Sequence, residues 1–497
     1  MTFDVHQLDT FVLVGAAVTL LAILAVRVSS KAGLPSLLVY LLMGVALGES
    51  GVGIRFDDAE MAHALGFAAL ALILAEGGIT TAWREVRPSM PLGLMLATVG
   101  VVISIGVVAV GAHYLLGLSW EIAFLLGAVT SPTDAAAVFS VLRVVPLPRR
   151  LTGALEAESG LNDAPTVVIV TLIAEGSIHD HEPWTIVGIV LGELLIGIVC
   201  GLVAGFGGAW LMRRAALPAS GLYPLAVLTL AFLGYGGAAA LHGSGFAAVY
   251  VAALVLGNSE LPHRGATRSF AEGVAWLAQI GLFVMLGLLL SPERITVSTV
   301  GLALLGGLIL TLAARPLSVL ASTVVSRLPW REVTFLSWAG LRGAVPVVLT
   351  TIPLAEGVDG SEQLFDLVFV MVVVYTLVTG PTLPAVARLL GLARPSDPRS
   401  LDLEVAPLEQ IAADLLQVRI PPESMLHGVE IGELRLPRGA SVSLVIRDGQ
   451  TLVPEWRTAL RARDVLLVVV PRSLRDQTQR RLEQVSRRGR LAQWLAR

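Results

Sequence analysis

Long apolar runs separated by short polar loops occupy the chain up to about residue 391. They fall at 8–27, 34–49, 62–80, 90–116, 120–143, 151–176, 184–212, 221–241, 245–257, 272–290, 297–325, 332–354 and 364–391, thirteen in all, the ninth short. Most approach the ~20 residues that a helix needs to cross a bilayer, so the pattern predicts thirteen transmembrane helices. After residue 392 the pattern changes. ARPSDPRS opens a polar linker, 393–402, and a small unit follows at 403–472. There LLQVRI, SVSLVIRDG, QTLVPE and DVLLVVV read as strands, with Asp448-Gly449 as a hairpin turn. SMLHGVEIGEL reads as a short helix, and 473–497 as an arginine-rich helix.

Loop charge sets the orientation. Alternate loops carry Arg27 and Lys31, Arg84 and Arg87, Arg149 and Arg150, Arg213 and Arg214, Arg264 and Arg268, and Arg327 and Arg331; the opposite loops carry Arg55 and Arg294. Cationic loops stay cytoplasmic, which puts the N-terminus outside and the tail inside. Composition agrees with a polytopic membrane protein: 55% of residues are hydrophobic, 15% are charged and mean hydropathy is +0.77, against about 25% charge in a soluble domain. A net charge of -3 decides little. Cys200 is the single cysteine, which excludes an intrachain disulfide and a cysteine metal cluster. MTFDVHQLD lacks a basic segment before the first apolar run, so no cleavable signal peptide is expected.

Against this background EAESGLNDAP, residues 156–165, is costly. An intramembrane carboxylate usually marks an ion or proton pathway. On a helix Ser159 and Asp163 share one face, and Glu158 and Asn162 share another, rotated by about 100°. Asp163 with Ser159 offers hard oxygen ligands to an alkali cation, while Glu158 is free to neutralise a buried arginine. Two further spans are interrupted. Span five holds Thr130, Ser131, Pro132, Thr133 and Asp134; span twelve holds Gly340, Arg342, Gly343 and Pro346. They are seven spans apart and antiparallel, as an inverted repeat of spans 1–6 in 8–13 requires. Paired interruptions of this kind point to a transporter site. At 1.5 Å per residue, Asp134, Asp163 and Arg342 all lie about 15–20 Å into their spans, near the midplane. Arg342 is the expected partner of Glu158. Glu193 also lies within a span, with packing or a dimer contact as its reading.

The stretches TSPTDAAAVFSVL, EAESGLNDAPTVV, ARPLSV and GLRGAV resemble the monovalent cation:proton antiporter superfamily, in its electroneutral branch of bacterial antiporters and animal sodium/proton exchangers. ESGLND is the most specific. The tail, from GVEIGELRLPRGASVSLVIRDGQTLVP to ARDVLLVVV, resembles the C-terminal ligand-binding subdomain of potassium-conductance regulators. The combination looks like bacterial potassium/proton antiporters. The resemblance implies that Asp163 binds the ion and the proton, with Ser159 and Thr133 as ligands of the monovalent cation. Asp134, Asn162 and Glu76 would lie at or near the ion. Glu158 and Arg342 would form a structural pair, and Arg315 a structural charge opposite Asp134 or a broken-helix end. Many relatives carry Asp-Pro where this chain has Asp134-Ala135, with Pro132 two residues earlier, which leaves the unwinding point open.

The expected fold is an all-α polytopic membrane domain with two broken crossing helices, plus a small cytosolic α/β domain. The expected function is exchange of K⁺, in preference to Na⁺, for H⁺ in the inner membrane of a bacterium, by a homodimer and without enzymatic activity. No cofactor and no nucleic acid are implied. A small regulatory ligand, a nucleotide or cyclic dinucleotide, would bind the tail. Asn162 cannot titrate beside Asp163, so one proton per cation is expected. A sodium/proton antiporter is the rival. A ligand-gated K⁺ channel is disfavoured because no TVGYG-like filter occurs, and a glutathione-gated efflux protein because the tail has no G-x-G-x-x-G run. The arginine-rich end, with Arg480, Arg481, Arg487, Arg488, Arg490 and Trp494, suits either an anionic membrane surface or a solvated or dimer-packing helix.

Overall fold

Helices form where the apolar runs predict them. The computed structural model describes residues 5–32, 36–49, 51–54, 56, 58–134, 138, 145, 147–176, 182–324, 326–393, 401–408 and 413–489. Outside these lie Arg55, Ala135, the rest of 135–143 except Val138, most of the linker, Arg490 and Trp494. The chain divides into two compact units, Met1–Arg394 and Pro395–Arg497.

The first unit contains α1 (Val5–Ala32), α2 (Ser36–Leu47), α3 (Ala59–Thr80), α4 (Trp83–Leu116), α5 (Trp120–Thr130), α6 (Arg149–Ala174) and α7 (Pro183–Arg214). It continues with α8 (Leu222–Ala240), α9 (Gly245–Asn258), α10 (Arg264–Leu289), α11 (Val297–Thr323), α12 (Trp330–Trp338), α13 (Val345–Ala355) and α14 (Ser361–Leu389). Seven of these, α3, α4, α7, α8, α10, α11 and α14, are long and apolar enough to cross a membrane by length and composition. The remaining helices are shorter or more polar. Side-chain caps start several of them: Asp58 accepts from the Met61 amide at 2.9 Å, and Ser244 caps α9. Backbones approach closely where α2 crosses α10. A Cβ on Gly44 would lie 2.1 Å from the Val284 carbonyl oxygen, so glycine is required for that packing.

Two helices carry π-helical stretches that apolar periodicity does not reveal: Leu96–Gly100 in α4 and Ile309–Ala314 in α11. They occupy spans four and eleven, seven apart like the interrupted spans. The helical segment that follows the second packs on the first, since the Ser318 hydroxyl donates to the Gly100 carbonyl at 2.6 Å and Ser322 to the Met95 carbonyl at 3.1 Å. Side-chain hydroxyls thus take up carbonyls that a wide turn leaves exposed.

The second unit is an antiparallel sheet in the order β1-β2-β5-β3-β4, with β1 Asp402–Leu408, β2 Ala413–Arg419, β3 Ser441–Arg447, β4 Gln450–Leu452 and β5 Val465–Pro471. β1 is an addition to the strands expected from sequence. Asp448 and Gly449 take φ of 50° and 79°, as a two-residue hairpin requires. The helix expected over SMLHGVEIGEL reduces to one 3-10 turn, Ile431–Leu434. Its backbone donors go elsewhere: Gly428 to Leu460, Ile431 to Thr458 and Gly432 to Trp456. The arginine-rich helix, α15 (Arg475–Arg488), buries Leu482 and Val485 with Leu416, Val418 and Val468. It is part of this unit's core, so a boundary after 472 cuts the domain short.

Candidate functional site

α5 stops at Thr130, whose hydroxyl turns back to the Leu126 carbonyl at 2.6 Å, as Ser131 does to Ala128 at 2.9 Å. The Ser131 amide still donates to the Ala128 carbonyl at 3.2 Å, and the helix then stops, because Pro132 has no amide to give. Residues 339–344 form the matching break between α12 and α13, and Pro346 sits at the start of the resumed helix. The two breaks touch. The Asp134 amide donates to the Leu341 carbonyl at 2.9 Å, and the Asp134 carboxylate packs on Gly343, where a Cβ would lie 1.8 Å from Oδ2.

Arg342 is buried at this crossing. Its Nε donates to the Thr130 carbonyl at 2.7 Å and its Nη1 to the Gly340 carbonyl at 3.0 Å, while the Thr376 hydroxyl donates to the Arg342 carbonyl at 3.1 Å. Arg342 therefore caps the end of α5. The ion pair expected between Glu158 and Arg342 is not formed. Glu158, 2% exposed, is held by Arg315, 5% exposed, with Nη1 on Oε1 and Nη2 on Oε2 at 2.9 Å. Arg315 Nε adds a bond to the Leu336 carbonyl at 3.3 Å. The cause lies in α11: Arg315 directly follows the π-helical stretch, which changes the angular register of everything after it. The bidentate fork satisfies both carboxylate oxygens in a place where an unpaired charge is costly. A Cβ on Gly340 would meet Arg315 Nε at 2.9 Å and Arg342 Nη1 at 3.1 Å, so both guanidinium groups lie against one glycine.

α6 passes beside the crossing. Asn162 donates from Nδ2 to the Thr133 hydroxyl at 3.1 Å, joining α6 to the first break. Asp163 follows, 5% exposed, and its Oδ1 has no hydrogen-bond partner among the described residues. Asn162, Asp163, Thr133 and Asp134 are thus gathered around the two breaks. Ser159 lies one turn before Asp163 on the same helix. Glu76 stands apart from this group near the end of α3, within electrostatic reach of Arg268 and Glu272. Glu193 lies on α7, half-buried, and its carbonyl accepts from the Ser244 amide at 2.9 Å. Sequence reasoning missed Tyr250, Thr376 and the Arg315 partnership. Gly160 within ESGLND was the available signal for the first, since a glycine in a polar helix face marks a close neighbour.

Residues 16–389 match the family described as sodium/hydrogen exchanger, transmembrane. The chain belongs to that family. Its members are cation/proton antiporters, transporters rather than enzymes. Residues 415–483 match the TrkA-C domain, so an antiporter unit and a TrkA-C unit occur in one chain, as expected from the sequence. The chain is 36% identical to the K(+)/H(+) antiporter NhaP2 of Shewanella sp. (strain ANA-3), over 94% of this chain and 82% of that one. It is 34% identical to the K(+)/H(+) antiporter NhaP of Alkalimonas amylolytica, over 93% and 82%. It is 31% identical to the Na(+)/H(+) antiporter ApNhaP of Aphanothece halophytica, over 69% and 68%. The fold is similar to that of the sodium proton antiporter MjNhaP1 from Methanocaldococcus jannaschii, with a TM-score of 0.66 at 22% identity, covering 77% of this chain and 99% of that one.

Proposed function

We propose that the protein exchanges K⁺, in preference to Na⁺, for H⁺ at Asp163. The observation that carries this reading is a buried carboxylate with an unpartnered oxygen beside two broken helices. Asp163 holds a proton or a cation, never both, because a cation favours the ionised form and its departure favours protonation. Ser159, Thr133, Asp134 and the loosened carbonyls of the breaks are the further oxygen ligands. Asn162 fixes Thr133 and α6 to each other, Glu76 lines the approach, and the Glu158–Arg315 pair with Arg342 holds the framework. With Asp163 as the one titrating ligand, exchange is one for one and electroneutral.

The preference for K⁺ draws on the names of the two relatives matched across nearly the whole chain; Na⁺ exchange is the second reading, favoured by ApNhaP. The protein is placed in the inner membrane of a bacterium as thirteen spans, with the paired-arginine loops and the tail in the cytoplasm. It works as a homodimer, a reading supported by α7, which leaves Leu191, Leu195, Val203 and Phe206 exposed along its length. The TrkA-C unit takes a small regulatory ligand, a nucleotide or cyclic dinucleotide. Everted vesicles with a pH-sensitive dye test the reading: adding K⁺ or Na⁺ dequenches the dye with the parent protein, and the order of the two ions gives the preference. Asp163→Asn is expected to abolish the response while remaining folded. Exchange retained in that variant refutes the assignment.

A further inference from the structure

Glu156, Gly160 and Asp163 follow one another at i, i+4 and i+7 on α6 and share one face. The two carboxylates differ in setting. Glu156 is half-buried and within electrostatic reach of Glu85 and Arg268, whereas Asp163 is buried. Gly160 stands between them, and what meets it is Tyr250 from α9. A Cβ at position 160 would lie 2.2 Å from the Tyr250 hydroxyl oxygen and 2.4 and 2.7 Å from two ring carbons. No side chain fits beneath that ring. Tyr250 is 4% exposed. Its hydroxyl is hydrogen-bonded to the Thr81 side chain, which in turn donates to the Gly77 carbonyl at 2.6 Å. The ring therefore ties α9 to α6 and to the end of α3.

That end of the bundle is braced by hydrogen bonds between its elements. The Trp83 amide donates to Asn258 Oδ1 at 2.9 Å, Asn258 Nδ2 to the Thr81 carbonyl at 2.9 Å, and Arg268 Nη2 to the Thr80 carbonyl at 2.6 Å. Glu76, Glu156 and Glu272 all lie within electrostatic reach of Arg268. Along α6 the order is Glu156, then Gly160 beneath the ring, then Asp163. We infer that Tyr250 is a gate residue of the exchange: its ring, seated on Gly160 and tethered to Thr81, closes the passage between the Arg268 end and Asp163, and swings aside to let Asp163 exchange with that side. Glycine at 160 is the notch that lets the gate shut. The inference rests on Asp163 as the exchange carboxylate.

The test separates the two ideas. In the full chain with Cys200→Ser, Asp163→Cys supplies a thiol at the end of the passage, and a membrane-impermeant cationic thiol reagent is added to everted vesicles. Labelling is expected to be slow with Tyr250 present and about tenfold faster or more in Tyr250→Ala. Tyr250→Phe keeps the ring but loses the tether, for a rise of about fivefold, the worth of one hydrogen bond. Gly160→Ala displaces the ring without altering it and raises labelling too. With Asp163 intact, Tyr250→Phe lowers the apparent KM for the cation offered at that face by about the same factor, because the open state is more populated. Labelling rates and KM within about twofold of the parent, in variants that remain folded, overturn the gate. Exchange surviving in Asp163→Asn sinks the exchange site instead and leaves the labelling result standing.

Discussion

At the scale of single residues the decisive contacts are between charges that the membrane would otherwise expel. Glu158 and Arg315 are both at least 94% removed from solvent by side chain and meet through two parallel hydrogen bonds. Removing one partner leaves a buried unpaired charge, at a cost of about 3–5 kcal/mol. Glu158→Gln and Arg315→Met are each expected to lower thermal stability in detergent, and the double variant to recover part of the loss. The same cycle run with Arg342→Met in place of Arg315→Met is expected to show a smaller coupling, since Arg342 bonds the Thr130 and Gly340 carbonyls and not the carboxylate. A larger coupling to Arg342 than to Arg315 would contradict this pairing. The sequence made Glu158, Asn162 and Asp163 legible, because a polar cluster in an apolar run has few explanations. It did not make the partner legible. Depth and charge do not say which guanidinium the fold turns towards Glu158, and the π-helical stretch before Arg315 helps to set its direction.

Between elements, the two broken helices hold one another by backbone and by close approach. Pro132, Pro346 and the glycines around Arg342 announced the breaks in the sequence, since each removes a donor or a side chain. What they did not announce is that Asp134 lies against Gly343. Gly343→Ala must turn the Asp134 carboxylate away or open the crossing, because the new Cβ would start 1.8 Å from Oδ2. Exchange is expected to fall about tenfold or more, as misplacement within a binding site does. Gly236→Ala on α8, where a Cβ meets open space, is the matched control and is expected to leave exchange unchanged. Equal activity in the two variants, measured by dye dequenching, would show that the crossing tolerates more movement than its geometry implies. The same reasoning covers charge balance. If Asp163 alone titrates, an imposed membrane potential does not drive exchange in proteoliposomes. Acceleration by a potential would bring in Asp134, the neighbouring carboxylate at the crossing.

Across the whole molecule the question is what the TrkA-C unit contributes. Its strands were legible from alternation, and β5 buries every second side chain as alternation predicts. The 3-10 turn at Ile431–Leu434 was not, because its hydrogen-bond partners at 456–460 are distant in sequence. Asp464, 1% exposed, accepts from Arg447 at 2.9 and 2.7 Å and from the Arg461 amide at 2.8 Å. The hydrogen bond it donates to Asp464 pushes the Arg447 guanidinium above its already high range, so Arg447 stays charged at every pH used for transport. Asp464→Asn is expected to destabilise this unit by about 1.5–3 kcal/mol while the first unit keeps its exchange. Truncation after Arg394 carries the same logic further. Every residue assigned to exchange lies within Met1–Arg394, and the second unit has a separate core that includes α15. A ligand on that unit biases transport only by preferring one arrangement over another. The truncated protein is therefore expected to exchange cations with an altered pH dependence. If it inserts and folds but exchanges nothing at any pH, the TrkA-C unit is part of the transport machinery rather than its regulator.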